Sequence, residues 1–396
     1  MGREFLTEFT FDNYGCRCEI EKVVDEKSGD LKNRLVIQID KNKTIPLSYE
    51  YGSGLKLTYD RTVKKKNNLL GEFLGIKKDD LNEFKSYFEK YGFLFKLSNT
   101  SGFFPVNMDD LLIMQDNLLA FIFLMNNQGN NINLINLQEL LDGCLFLLFR
   151  NEKIISIGKE EVIKIPKNYL MTIIDGASYQ EEDKHGIKYE KRNGQLVPFF
   201  EIEDCIDKDG FYKLDLANYQ EIMTNDQIPQ WFKNLIRVFK NKSQLVSDLQ
   251  WHSSADFLVH LFLEFSAFYK TDIRLNGIFD DNLYRQLKKH NRMVDALKKL
   301  SKALIECEFK TILSNVTPTY NVDDMKPDWK LPSLYSAMYF SLFYLNSSEE
   351  GFRKCANSNC EDYFQVSKTN LKKKYCSWEC GNADRQRKYQ KRKQQR

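Results

Sequence analysis

Residues 355–360 read CANSNC and residues 375–382 read YCSWECGN, so four cysteines stand in two close pairs near the end of the chain. Four residues lie between Cys355 and Cys360, three between Cys376 and Cys380, and 15 connect the pairs. A tetrahedral zinc ion asks for four soft donors, and two short-spaced pairs flanking a loop bring four thiolates together with little backbone strain. No histidine or carboxylate stands at a spacing that would keep a coordination position open, so one bound Zn2+ is expected to be structural. Tyr363 and Phe364 offer an apolar base under the site, and Trp378 lies inside the second pair. So short a segment cannot bury a core of its own, and metal capture is expected to supply most of its ordering. A helix is expected to open at Gly381 and Asn382, with its positive end favouring the thiolate form of the adjacent cysteines.

The segment beyond the second pair is basic. Between Ala383 and Arg396 stand Arg385, Arg387, Lys388, Lys391, Arg392, Lys393 and Arg396, with Tyr389 interleaved. On a helix Arg385, Lys388, Tyr389, Arg392 and Arg396 recur at steps of three or four, a face that can track a phosphate backbone. Lys372, Lys373 and Lys374, in the loop between the cysteine pairs, offer a second contact. From Gly351 to Arg396 there are 13 Lys or Arg against 4 Asp or Glu, while the whole chain carries only +3, so the first 350 residues are mildly acidic. A polyanion is the partner such an end selects, and nucleic acid, DNA ahead of RNA, is expected. Phosphate contacts position a protein without reading bases, so no sequence preference is implied.

The string KCANSNCEDYF, with YCSWECGNADRQRKYQKRK after it, resembles the CGNR zinc finger, the C-terminal module of bacterial proteins with an ABATE domain. That group is named for stress-induced transcriptional regulators. The similarity covers residues 355–393, and SNVTPTYNV (Ser314–Val322) with SLYSAMYFSLFYL (Ser333–Leu345) resembles the end of the ABATE region. The resemblance implies that Cys355, Cys360, Cys376 and Cys380 are metal ligands, that Cys380-Gly381-Asn382 is the family signature, and that the protein is a bacterial transcription regulator. The arginine that completes the signature is Ala383 here, with Arg385 and Arg387 close by. Its role is therefore not carried over.

Upstream, the patterning predicts an α+β protein: a small β-rich unit over 1–65, a mainly helical body over 66–350 with a short β insertion near 152–215, and the cysteine module with its basic helix over 351–396. Leu55, Leu57 and Tyr59 alternate with polar residues, Leu35–Ile39 is apolar, and Gly52-Ser-Gly54 marks a turn. Asp80 with Glu83 forms a capping-box pattern ahead of Leu81, Phe84, Phe88 and Tyr91, and Gly92 is suited to end that helix in the left-handed αL conformation. Helices are expected over 109–125 and 140–149, strands at Ile154–Ile157 and Val162–Ile165, and an exposed loop over Tyr179–Gly194. From Pro229 to Leu345 the spacing reads mainly as helices, the last presenting Leu334, Met338, Leu342 and Leu345 as one stripe.

Met1–Thr10 lacks an apolar run, and no apolar stretch reaches the roughly 20 residues of a bilayer span, so a cytoplasmic protein without a membrane segment is expected. Nine cysteines without a regular framework fit reduced thiols, Cys16 and Cys18 among them. No Walker loop, GxGxxG or GxSxG occurs, which argues against the corresponding enzymes. One alternative is catalytic: Arg285 and His290 have the Arg-x4-His spacing that resembles HEPN ribonucleases, with His in proton transfer and Arg on the phosphate. Another is a protein-interaction scaffold with a purely structural zinc clamp. His185, His252 and His260 stand apart from any ligand pattern, and the helical body is left to bind a small molecule or a protein.

Overall fold

A computed structural model describes residues 8–24, 29–50, 54–58, 68–78, 80–98, 101–128, 136–166, 189–192, 195–198, 224, 226, 233, 291–322, 325–345, 350–367 and 372–394. The chain is α+β and divides into two compact units. The first joins Met1–Ile135, Lys153–Ile165 and Ile305–Arg396; the second joins Asn136–Glu152 and Pro166–Leu304.

The first unit begins with a long antiparallel hairpin, β1 (Phe9–Val24) and β2 (Leu31–Glu50), paired from Phe9↔Tyr49 to Val24↔Leu31. A register shift between Tyr14 and Gly15 places Lys43 against Gly15. The other edge of β2 takes β3 (Gly54–Leu57) and β4 (Phe104–Val106), so the sheet draws one strand from well beyond residue 65. Alternation decides which face is covered: Phe9, Phe11, Ile37, Ile39, Leu47 and Tyr49 are buried.

Three helices come next: α1 (Leu69–Gly75), α2 (Leu81–Tyr91) and α3 (Met108–Asn126). Asp80 caps α2 by accepting from the Asn82 and Glu83 amides, as its position predicts. The reciprocal bond of a capping box is replaced, because the Glu83 carboxylate accepts from the Lys77 amide at 2.9 Å. Gly92 ends the helix with φ 81° and ψ 170°, a positive-φ extended residue and not the αL cap expected. A Cβ there would lie 2.4 Å from the Tyr14 carbonyl and from the Asn13 amide nitrogen. Two buried amides close the packing of these elements. Asn13 donates to the carbonyls of Tyr91 and Phe93, and Gln115 on α3 donates to those of Phe73 and Ile76.

Strands β5 (Lys153–Ile157) and β6 (Glu160–Ile165) form the expected hairpin. Along the second unit lie α4 (Leu137–Phe149), buried along most of its length, and a hairpin of β7 (Tyr189–Arg192) with β8 (Gln195–Pro198). The loop expected to reach Gly194 is therefore a strand over its described residues 189–192. Helix α5 (Asn291–Ile312) passes from the second unit into the first at Leu304. Within the first unit come β9 (Thr317–Asn321) and β10 (Lys326–Lys330), paired as a hairpin inside the span read as mainly helical. Helix α6 (Leu334–Phe343) is buried from Leu334 to Leu342 and not along one stripe alone. Tyr335 and Tyr339 pack together and Tyr339 meets Phe121, while Phe340 meets Phe9, making α6 the central helix of this core. Of the span from Pro229 read as mainly helical, residues 229–290 lie outside the described residues apart from Lys233. Among the described residues no helix is long and apolar enough to cross a membrane.

Candidate metal centre

The C-terminal module consists of β11 (Glu350–Lys354), β12 (Tyr363–Ser367) and α7 (Trp378–Gln394). The hairpin pairs Gly351↔Val366 through Lys354↔Tyr363 and delivers Cys355 immediately after its first strand. Cys360 stands in a tight turn closed by its amide donating to the Asn357 carbonyl at 2.8 Å. The second knuckle is tied to the first by the Ala356 amide, which donates to the Lys374 carbonyl at 2.8 Å. Helix α7 opens at Trp378, three residues before the Gly381 start expected from the sequence. Ser377 acts as its cap, with the hydroxyl accepting from the Cys380 amide at 3.2 Å.

Cys355, Cys360, Cys376 and Cys380 thereby place one sulfur each within 4.8 Å of all the others. The Cys360 and Cys376 sulfurs are 3.6 Å apart, and those of Cys376 and Cys380 3.4 Å. Bonds of about 2.3 Å to a tetrahedral ion require sulfurs about 3.8 Å apart. The four thiols fit that demand, so the cluster can hold a metal ion. Phe364 and Val366 are buried beneath it, and Tyr375 packs at its side. Trp378, by contrast, is 73% exposed and does not cover the sulfurs.

Protonation sets Cys360 and Cys376 apart from Cys380. Burial pushes the Cys360 thiol well above its ordinary range. Burial, and then the hydrogen bond with Cys380, push Cys376 up to about 12. At Cys380 burial acts in the same direction, but hydrogen bonds from Cys376 and Asn357 outweigh it and lower the pKa. A metal ion bound by the four sulfurs would displace the protons that Cys360 and Cys376 favour.

The cations fall into two groups. Arg387 is half-buried, donates to the Asn357 side chain and lies 3.5 Å from Asp384; Lys388 pairs with Asp384 at 2.7 Å. Arg385 is turned back along its own helix, donating to the Gly381 carbonyl and the Asn382 side chain. Lys373 sits over the Phe364 ring at 5.0 Å from its centroid. Lys372, Lys374, Lys391, Arg392 and Lys393 are exposed. Tyr389 is 70% exposed beside them. Arg396, Arg285 and His290 lie outside the described residues.

Sequence spacing misses two residues here, Asn357 and Asp384. Both are buried and polar, and both link the first knuckle or Tyr375 to α7. Their only signal is proximity to the cysteines. Comparison with family models, curated proteins and solved structures finds no match for the chain.

Proposed function

We propose that this chain binds nucleic acid through a zinc-ordered C-terminal module and acts as a bacterial transcription regulator. The observation that carries the reading is the convergence of four cysteine sulfurs within 4.8 Å at the start of a helix whose far half bears Lys391, Arg392 and Lys393 exposed. Four thiolates in a closed site favour zinc over harder cations, and the bound ion would supply structural cross-linking and no open position for chemistry. Cys376 and Cys380 flank the first turn of α7, so a cross-link through them fixes the helix against the hairpin. A helix held at its base presents its cations in one place, as phosphate contact requires. The resemblance of residues 355–393 to the CGNR finger supports the regulatory assignment.

Elemental analysis of the purified chain should return one zinc per chain. Binding of duplex and single-stranded oligonucleotides should weaken steeply with salt; about four phosphate contacts correspond to a log–log slope of about −3.6 on duplex and about −2.8 on single strands. A chain without stoichiometric metal, or without salt-dependent binding of any oligonucleotide, removes the proposal.

A further inference from the structure

We infer that the nucleic acid bound by α7 is single-stranded, with Trp378 and Tyr389 as stacking platforms for its bases; this rests on the proposed nucleic-acid function and sharpens it. Trp378 and Tyr389 are the two large aromatic side chains of the helix, and they are 73% and 70% exposed. Neither belongs to the apolar cluster under the sulfurs, which Phe364, Val366 and Tyr375 complete. Eleven positions separate them, three turns with a remainder of about 20°, so the rings share a face about 16 Å apart. Arg385 and Arg392 fall on the same sector, giving the order aromatic, cation, aromatic, cation along the helix. Arg385 donates to the Gly381 carbonyl and to the Asn382 side chain, which ties its guanidinium to the helix surface.

A span of about 16 Å covers about five stacked nucleotides at about 3.4 Å per step. In a duplex the base faces are already stacked on one another, and a protein meets base edges and phosphates, for which exposed rings are poorly suited. A single strand offers free base faces beside its phosphates, so two rings about five nucleotides apart can each take a base while Arg385 and Arg392 meet phosphates. The groove of 1560 Å³ between α1, α2 and the cysteine module is lined by Trp378 and Arg385 too, and its carboxylates are matched by lysines, so it neither repels nor selects phosphate.

The test uses the zinc-loaded full chain and fluorescence anisotropy with labelled oligothymidylate, oligouridylate and a duplex of the same length. Single strands should bind at least about tenfold more tightly than duplex. Trp378→Ala and Tyr389→Ala should each lose about five- to a hundredfold on single strands, with unchanged zinc content, while Trp378→Phe and Tyr389→Phe retain most of the affinity. Comparable affinity for thymidylate and uridylate assigns both chemistries; preference for one selects it. Tighter duplex binding, or alanine variants that bind as the parent does, overturns the inference and leaves the nucleic-acid function standing. Absence of binding to every oligonucleotide removes both. A concentration-dependent dimer that Trp378→Ala abolishes, without nucleic-acid binding, overturns it in favour of a second copy of the chain.

Discussion

Between the first knuckle and the basic helix, one amide and one carboxylate gather several donors. Asn357 accepts from the Asn359 amide and from Arg387; Asp384 accepts from the Tyr375 hydroxyl at 2.8 Å and from Lys388 at 2.7 Å. The hydrogen bond from Lys388, and then that from Tyr375, hold the Asp384 carboxyl below the usual carboxylate range. The bond to Asp384 in turn raises the pKa of Tyr375 and of Lys388. Both of these groups favour the protonated form in the fold. Their contribution is complete below their unfolded values, near pH 10, and is lost as pH rises through the folded ones; that of Asp384 is present above about pH 4 and is lost as pH falls. In an NMR titration of ring-labelled tyrosine, Tyr375 should ionise above about pH 10, and Asp384→Asn should return it toward that ordinary value. A Tyr375 titration that ignores the substitution would remove Asp384 as its partner. The buried Gly381 belongs to the same arrangement, since a Cβ there would lie 3.2 Å from the Tyr375 ring.

At the scale of elements, the β11–β12 hairpin is seated by α1 and α3. The Asn126 side-chain amide, at the end of α3, accepts from the Phe352 backbone amide at 2.9 Å and donates to its carbonyl at 2.7 Å, so a side chain acts as one more rung of the ladder. On the other side Gly71 of α1 lies under β12, where a Cβ would sit 1.9 Å from the Tyr363 carbonyl oxygen. Backbone cannot yield as a side-chain tip does. Gly71→Ala should therefore cost at least about 1–3 kcal/mol and lower the Tm by about 3–10 °C, with faster hydrogen exchange at 350–367. An unchanged Tm would show that α1 does not press on the hairpin. The local parts of this are legible in the sequence: the Asp80 cap, the β5–β6 alternation and the cysteine spacing are each written in neighbouring residues. The seating is illegible, because nothing local to Asn126 or Gly71 names a partner more than 200 positions away. The β9–β10 hairpin escapes for a different reason. Thr317–Asn321 and Lys326–Lys330 are polar and mostly exposed, so no apolar alternation marks them as strands.

Over the whole first unit, two sources of order meet in one body. The core around Phe84, Phe88, Phe121 and Tyr339 is buried without any contribution from the cysteines, whereas the cluster of Cys355, Phe364 and Val366 is small and closes on the sulfurs. Its length alone predicts a module ordered mostly by metal. The hairpin half of it is also held by α1 and α3, so the metal is needed chiefly for the two knuckles and the base of α7. Chelation should accordingly raise hydrogen exchange across 372–394 most, across 350–367 less, and leave β1, β2 and α3 unchanged; collapse of the entire unit would contradict this division. The pH dependence has a definite sign. Burial holds Cys360 above its ordinary range and Cys376 up to about 12, so the metal-free module carries at least these two protons, which metal capture must expel. Metal affinity should therefore fall as pH falls, by up to about tenfold per pH unit for each proton released. Competition titrations against a chelator of known affinity, at about pH 6, 7 and 8, measure the slope. A metal affinity independent of pH would mean that the thiols are already ionised without the ion.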